Sequence, residues 1–156
     1  MPRIPFLAAA AALALLAFAP PARAQGDEQA IVKAVIKLFD GMRARDTALM
    51  RSLFVPDARM VGIATRNGPP KVQFMDPRVW IGSVGRGTGP GADERIFDPV
   101  VQVDDNIAQV WTYYELWVGT RLNHCGYDAF FLVKLADDWK IAQVADSRRT
   151  NCPPRS

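Results

Sequence analysis

The sequence predicts an α+β fold in which three N-terminal helices pack against a sheet of long antiparallel strands. Three observations lead there. Early segments repeat their apolar residues at spacings of three and four, the period of a helix face. After residues 85–91, which hold four glycines and a proline, the repeat becomes two, the period of a strand. The late runs are joined by short turn-forming segments, which connect antiparallel neighbours rather than parallel ones.

Each element can be justified in order. In residues 27–42, Ile31, Val32, Val35, Ile36, Leu38, Phe39 and Met42 make an apolar stripe with Lys33 and Lys37 between them, so this is the first helix, stopped near Gly41. Asp46 and Thr47 can cap a second helix carrying Leu49, Met50, Leu53 and Phe54, which Pro56 ends. Residues 59–65 read as a strand, and Asn67-Gly68 supplies a turn into a second strand over residues 71–75. Asp76-Pro77 is an N-cap followed by proline at the first helical position, opening a third helix with Val79, Trp80, Ile81 and Val84. The glycine-rich loop that follows is the best candidate for a mobile lid. Residues 95–103, 107–120, 126–135 and 139–145 are rich in Val, Ile, Phe, Tyr and Trp. Asp104-Asp105-Asn106, the Asn123 region and Ala136-Asp137-Asp138 separate them as turns.

The start of the chain has a separate job. Met1 to Arg3 is a short basic region, residues 4–19 are almost wholly apolar, and Ala22-Arg23-Ala24 forms an A-x-A pattern. These are the parts of a signal peptide cleaved after residue 24, leaving residues 25–156 as one domain with a short C-terminal tail. The apolar run reaches about 24 Å as a helix, short of the roughly 30 Å a span requires. No later stretch is apolar for long enough, so no membrane association is expected after cleavage. The location expected is periplasmic or secreted.

The formal charge of +3 includes Arg3 and Arg23. Without residues 1–24 the chain has 17 basic and 16 acidic side chains, and no window clusters the Lys and Arg that nucleic acid demands. Nucleic-acid binding is excluded on that ground. Cys125 and Cys152 both fall in the exported part, where oxidation closes a loop of about 28 residues and stabilises by roughly 3 to 4 kcal/mol. Free thiols are the other reading. Metal ligation is weaker, because the only histidine, His124, adjoins one cysteine and no C-x-x-C pair exists.

Specific residues also carry a family resemblance. Leu53-Phe54-Val55-Pro56-Asp57-Ala58 resembles the F-x-x-D-A ending of the second helix in the nuclear-transport-factor-two-like superfamily. His124-Cys125-Gly126-Tyr127-Asp128-Ala129-Phe130 followed by Trp139-Lys140-Ile141 resembles the strand, turn, strand signature of its SnoaL-like and lumazine-binding-like branches. The resemblance covers residues 28–149. It implies a cone-shaped, curved sheet, the cystatin-like or ketosteroid-isomerase-like roll. Physical reasoning adds a cavity, since a strongly curved sheet cannot fill its concave face with its own side chains. The superfamily includes ketosteroid isomerases, scytalone dehydratase, polyketide cyclases and proteins of no known activity. A small, largely apolar ligand held without cofactor is therefore the leading expectation; a cofactor-free isomerase, dehydratase or cyclase is the alternative, and a homodimer or partner-docking protein using the sheet face is a third.

Candidate residues follow. His124 and Asp128 share a strand face and could transfer protons together, the carboxylate orienting the imidazole; the plain alternative is a strand-edge histidine and a structural carboxylate. The resemblance implies Asp57 as a cavity-facing base, against a turn cap after Pro56. It also implies a tyrosine and a protonated acid as an oxyanion-binding pair, which Tyr114 and Asp128 could imitate, although Tyr113 and Tyr127 are also eligible. Trp111, Tyr113, Glu115 and Trp117 share one strand face, and Val110, Thr112, Tyr114, Leu116 and Val118 the other. Trp80, Trp111, Phe130 and Arg148 are the candidate ligand contacts, with Arg148 either holding an anion or pairing with Asp146 at the surface.

Overall fold

The computed structural model describes residues 22–64 and 69–154. Most of the expected signal peptide and the Asn67-Gly68 turn therefore lie outside the described residues. Helix α1 (Ala22–Ala44) runs through the expected cleavage point and longer than its apolar stripe. It buries Ile31, Ala34, Val35, Leu38, Phe39 and Met42, one side of a 3.6-residue period. Ile36 stays 43% exposed. Asp46 caps α2 (Thr47–Ser52), accepting from Ala48 N at 3.1 Å and Leu49 N at 2.9 Å.

Here the chain departs from its local pattern. The second helix stops at Ser52, and strand β1 (Phe54–Ala64) begins before Pro56. The cause is tertiary: Ile141 N donates to Leu53 O at 2.7 Å, drawing the segment into the sheet against a distant strand. The register slips between Phe54 and Arg59, which spans the proline that has no N–H to offer. Strand β2 (Lys71–Met75) is an exposed edge. Helix α3 (Pro77–Gly85) starts as anticipated, with Asp76 accepting from Arg78 N at 2.8 Å and Pro77 in the first turn.

Strands β3 (Ala92–Asp104), β4 (Ile107–Val118), β5 (Arg121–Leu135) and β6 (Asp138–Asp146) form the antiparallel meander the alternation predicts. The sheet order is β2-β1-β6-β5-β4-β3. β1 lies parallel to β6, while every other neighbour is antiparallel. Asn123 is not a turn: the reversal falls at Gly119, whose φ of 61° suits glycine, and β5 starts earlier than its apolar run. Asn123 is instead the extra residue where Leu116 pairs with His124 and Trp117 with Leu122. Further irregularities lie between Phe97 and Val100 and between Phe131 and Leu132. Such bulges bend strands and increase twist, curling the sheet around α1. The edge ring of Phe39 meets Phe130 at 6.0 Å and 74°, and Ile81, Val110, Leu132 and Ile141 complete the core.

The glycine-rich loop is held in place rather than hung over an opening. Arg45 Nη2 donates to Gly89 O at 2.7 Å, and a side chain at Gly91 would come within 2.8 Å of Arg43 O. None of residues 85–91 lines the cavity, so the lid expectation is not met by this placement.

Candidate functional site

The curled sheet and its helices leave a cavity of about 1050 Å³. α1 supplies Leu38, Phe39 and Met42; α3 supplies Trp80 and Val84; and the sheet supplies Met60, Leu116, Phe130 and Val144. Polar groups gather along the strands. Glu94 comes from β3, Tyr114 from β4, His124 and Asp128 from β5, and Asp146 from β6, with Arg148 following. Strand alternation explains the selection: Tyr114 and Leu116 point inward on β4, as Asp128 and Phe130 do on β5.

Asp128 is 2% exposed. Its Oδ2 is buried with no N–H donor among the described residues, and its carboxyl hydrogen-bonds to that of Glu94. A buried carboxyl in contact with a half-buried one leaves little room for both to ionise cheaply. Burial, then the Glu94 charge, pushes Asp128 well above the ordinary carboxylate range. Burial raises Glu94 to about 7, with the Asp128 hydrogen bond pulling downward and the Asp146 charge upward. At neutral pH the pair therefore holds a proton in an apolar setting.

Tyr114 is locked beside them. Its hydroxyl donates to Ser147 O at 3.0 Å, and burial followed by the surrounding carboxylates raises its pKa, so it stays protonated. His124 is 5% exposed, and its Nδ1 lies 2.8 Å from Asn123 Oδ1. An amide oxygen accepts, so Nδ1 carries the proton and Nε2 is the acceptor. Burial first and Arg148 second lower His124 to about 4. The ring is neutral at physiological pH and meets Tyr114 edge-on at 5.7 Å.

The tail that closes this side is fastened to β5. Arg149 N donates to Cys125 O at 2.9 Å and Cys125 N to Arg149 O at 3.0 Å. Cys125 and Cys152 are joined as a disulfide with their Cα atoms 5.8 Å apart. This seats Arg148, Arg149, Thr150 and Asn151 at the cavity wall.

The predicted site residues thus separate into two groups. His124, Asp128, Tyr114, Trp80, Phe130 and Arg148 all line the cavity. Asp57 does not: it is exposed on β1, because the strand starts early and carries it away from the concave face. Trp111 is 52% exposed on the outer face, stacked on Tyr127 at 5.1 Å; of the two β4 faces, the one bearing Tyr114 is the inner one. Glu94 was missed because β3 appeared to start at Arg95. The signal was present, since Ala92, Glu94 and Ile96 alternate in phase. Among the described residues no three His, Cys, Asp or Glu side chains converge as metal ligands, and no helix is long and apolar enough to cross a membrane.

A curved six-stranded sheet cupping helices around an open cavity is the architecture of nuclear-transport-factor-two-like proteins. Residues 26–145 match the family described as "Putative lumazine-binding", and the chain belongs to that family. Similar solved structures include an NTF2-like protein of unknown function from Shewanella baltica, with 17% identity, TM-score 0.62, and 81% of this chain and 97% of that one covered. A cystatin-like protein of unknown function from Nostoc punctiforme aligns with 13% identity and TM-score 0.64 over 81% and 94% of the two chains. A protein of unknown function from Mycobacterium tuberculosis aligns with 14% identity and TM-score 0.69 over 85% and 78%. At these identities the likeness establishes the fold. No curated protein sequence matches the chain.

Proposed function

We propose that the chain is an exported protein that holds a small, largely apolar molecule in the cavity. The observation that carries this reading is a volume of about 1050 Å³ left open beside a packed core. Its lining is mostly apolar with a few convergent polar groups, the usual composition of a ligand site. The family's description as lumazine-binding supports a small-molecule role. Export is supported by the basic, apolar and A-x-A order of residues 1–24 and by a disulfide, which persists in oxidising compartments. Native mass spectrometry of protein recovered from its own compartment tests both parts. A co-purifying mass and an N-terminus at Gln25 are expected; an intact residue 1–24 segment with an empty cavity that takes up no added hydrophobe would overturn the reading.

The Glu94–Asp128 pair favours one second reading, cofactor-free proton transfer in an isomerase, dehydratase or cyclase. Asp57 is too far outside to serve, and a neutral His124 is a weak base. A shared carboxyl proton with Tyr114 alongside is the arrangement that could donate to a substrate oxygen and accept from a carbon. Loss of turnover in Asp128→Asn, with ligand affinity retained, would distinguish catalysis from binding. The exposed outer face with Trp111, Val100 and Phe131 is where a second copy would pair, and analytical ultracentrifugation decides whether it does.

A further inference from the structure

We propose that the inner wall of the cavity recognises a basic nitrogen on the bound molecule, the Glu94 carboxylate accepting its N–H and Asp128 supporting Glu94 from behind. This rests on the cavity being a ligand site, and it adds the chemical class of the ligand's polar end.

Three observations converge. Asp128 Oδ2 is buried without an N–H donor among the described residues, and one proton shared between two carboxyls leaves their remaining oxygens open as acceptors. The two polar groups beside Asp128 on β4 and β5 are already committed. Tyr114 gives its hydrogen to Ser147 O, and His124 turns Nδ1 to Asn123. What remains open on this wall is acceptor capacity. The charge balance agrees: three carboxyls, from Glu94, Asp128 and Asp146, reach it from three strands, and among the described residues no lysine lines the cavity.

Arg148 and Arg149 also line the cavity, and the Arg148 charge pulls Glu94 and Asp128 down only as the smallest of the influences on them. Arg148 is 61% exposed and stands 3.8 Å from Asp146, while Arg149 lies over the outward ring of Tyr127 at 5.8 Å. From α1 the cavity is lined by Leu38, Phe39 and Met42; Arg43 turns to Asp93 and Asp40, and Arg95 to Asp93. An entering carboxylate meets mainly acceptors here, and an entering carbonyl finds a donor only in the protonated form of the pair. An entering ammonium or amidinium gains a charge-assisted bond and pairs a buried acid.

The proton balance follows. Glu94 gives up its proton to solvent as the cation takes its place, so a permanently protonated amine binds more tightly as pH rises through about 7. A neutral ligand accepting from the acid form behaves in the opposite sense. Asp128, Asp146, Tyr114, His124, Arg148 and Arg149 are the titratable or charged groups facing Glu94 across the cavity, and of these His124 stays neutral above its midpoint of about 4.

The test compares three flat probes of similar size on the disulfide-intact protein: 9-aminoacridine as the cation, 9-anthracenemethanol as the neutral form and anthracene-9-carboxylate as the anion. Affinities are measured by calorimetry on either side of the Glu94 midpoint. The expected result is 9-aminoacridine preferred over the alcohol by about tenfold at the higher pH, with that preference shrinking at the lower pH and in Glu94→Gln. Should that variant fail to fold, the pH profile of the unchanged protein decides. Equal or tighter binding of the alcohol or the anion at high pH overturns the proposal while leaving the cavity reading intact. Binding of none of the three overturns both.

Discussion

Gly126 is the residue at which one added methyl group meets the most resistance. It pairs with Tyr114 across the strands, and a Cβ there would overlap Ser147 O and approach Tyr114 Cε1 to 2.9 Å. Backbone oxygen cannot swing aside as a side chain can. Gly126→Ala is expected to cost roughly 2 to 3 kcal/mol, read as a lowered denaturant midpoint with an unchanged slope. The same neighbourhood makes stability depend on pH. A carboxyl with a raised midpoint holds its proton longer folded than unfolded. Glu94 therefore contributes fully below the ordinary carboxylate range, and that contribution is lost as pH rises to about 7. Asp128 adds in the same direction. His124 opposes it, its contribution being present above the ordinary imidazole range and lost as pH falls toward about 4. Comparing parent with Glu94→Gln isolates the carboxyl. The variant's advantage in Tm should grow as pH climbs from about 5 to about 8, and a constant difference would refute the shared proton. The individual positions of His124, Asp128 and Tyr114 were readable from alternation. Their partner Glu94 was overlooked although Ala92, Glu94 and Ile96 alternate in phase, because the neighbouring glycines made the strand appear to begin at Arg95.

At the scale of elements, the caps were the most legible features. Of the two cap candidates Asp46 and Thr47 it is Asp46 that caps α2, and Asp76 caps α3 as expected, since capping is a local interaction. Removing the Asp76 carboxyl by Asp76→Ala should lower the melting temperature by uncapping α3, checked by thermal melting. The start of β1 was illegible for the converse reason. Leu53 and Phe54 continue a helical pattern, and only the bond from Ile141 overrides it. The C-terminal tail is an element of its own, without a name in any secondary-structure pattern. Its residues reach the cavity wall because two backbone bonds and one disulfide hold them to β5. Cys152→Ser should lower stability by about 3 kcal/mol and render the chain beyond Ser147 sensitive to protease. Tail resistance to protease in that variant would show that the backbone bonds suffice.

For the molecule as a whole, bulges decide function more than the strands do. Curvature leaves the interior open, and Leu116 stands at a wall where added volume has somewhere to go. Leu116→Trp is expected to reduce affinity for an apolar probe by about tenfold while changing Tm little, measured in parallel by calorimetry and melting. A comparable loss in both would mean that the space is not free. Fold class and strand order in the meander came through in the sequence, since period and turn chemistry are local. The place of β1 did not, because nothing near Phe54 signals a partner at Ile141.

That parallel contact governs how the chain can come to be folded. β1 is seated between β2 and β6, so the first strand synthesised waits for the last before its second edge is satisfied. A nascent polypeptide that has not reached Asp138 has no template on which to close, and long-range pairing of this kind is slow. A truncation that removes β6 therefore forfeits the fold rather than trimming it.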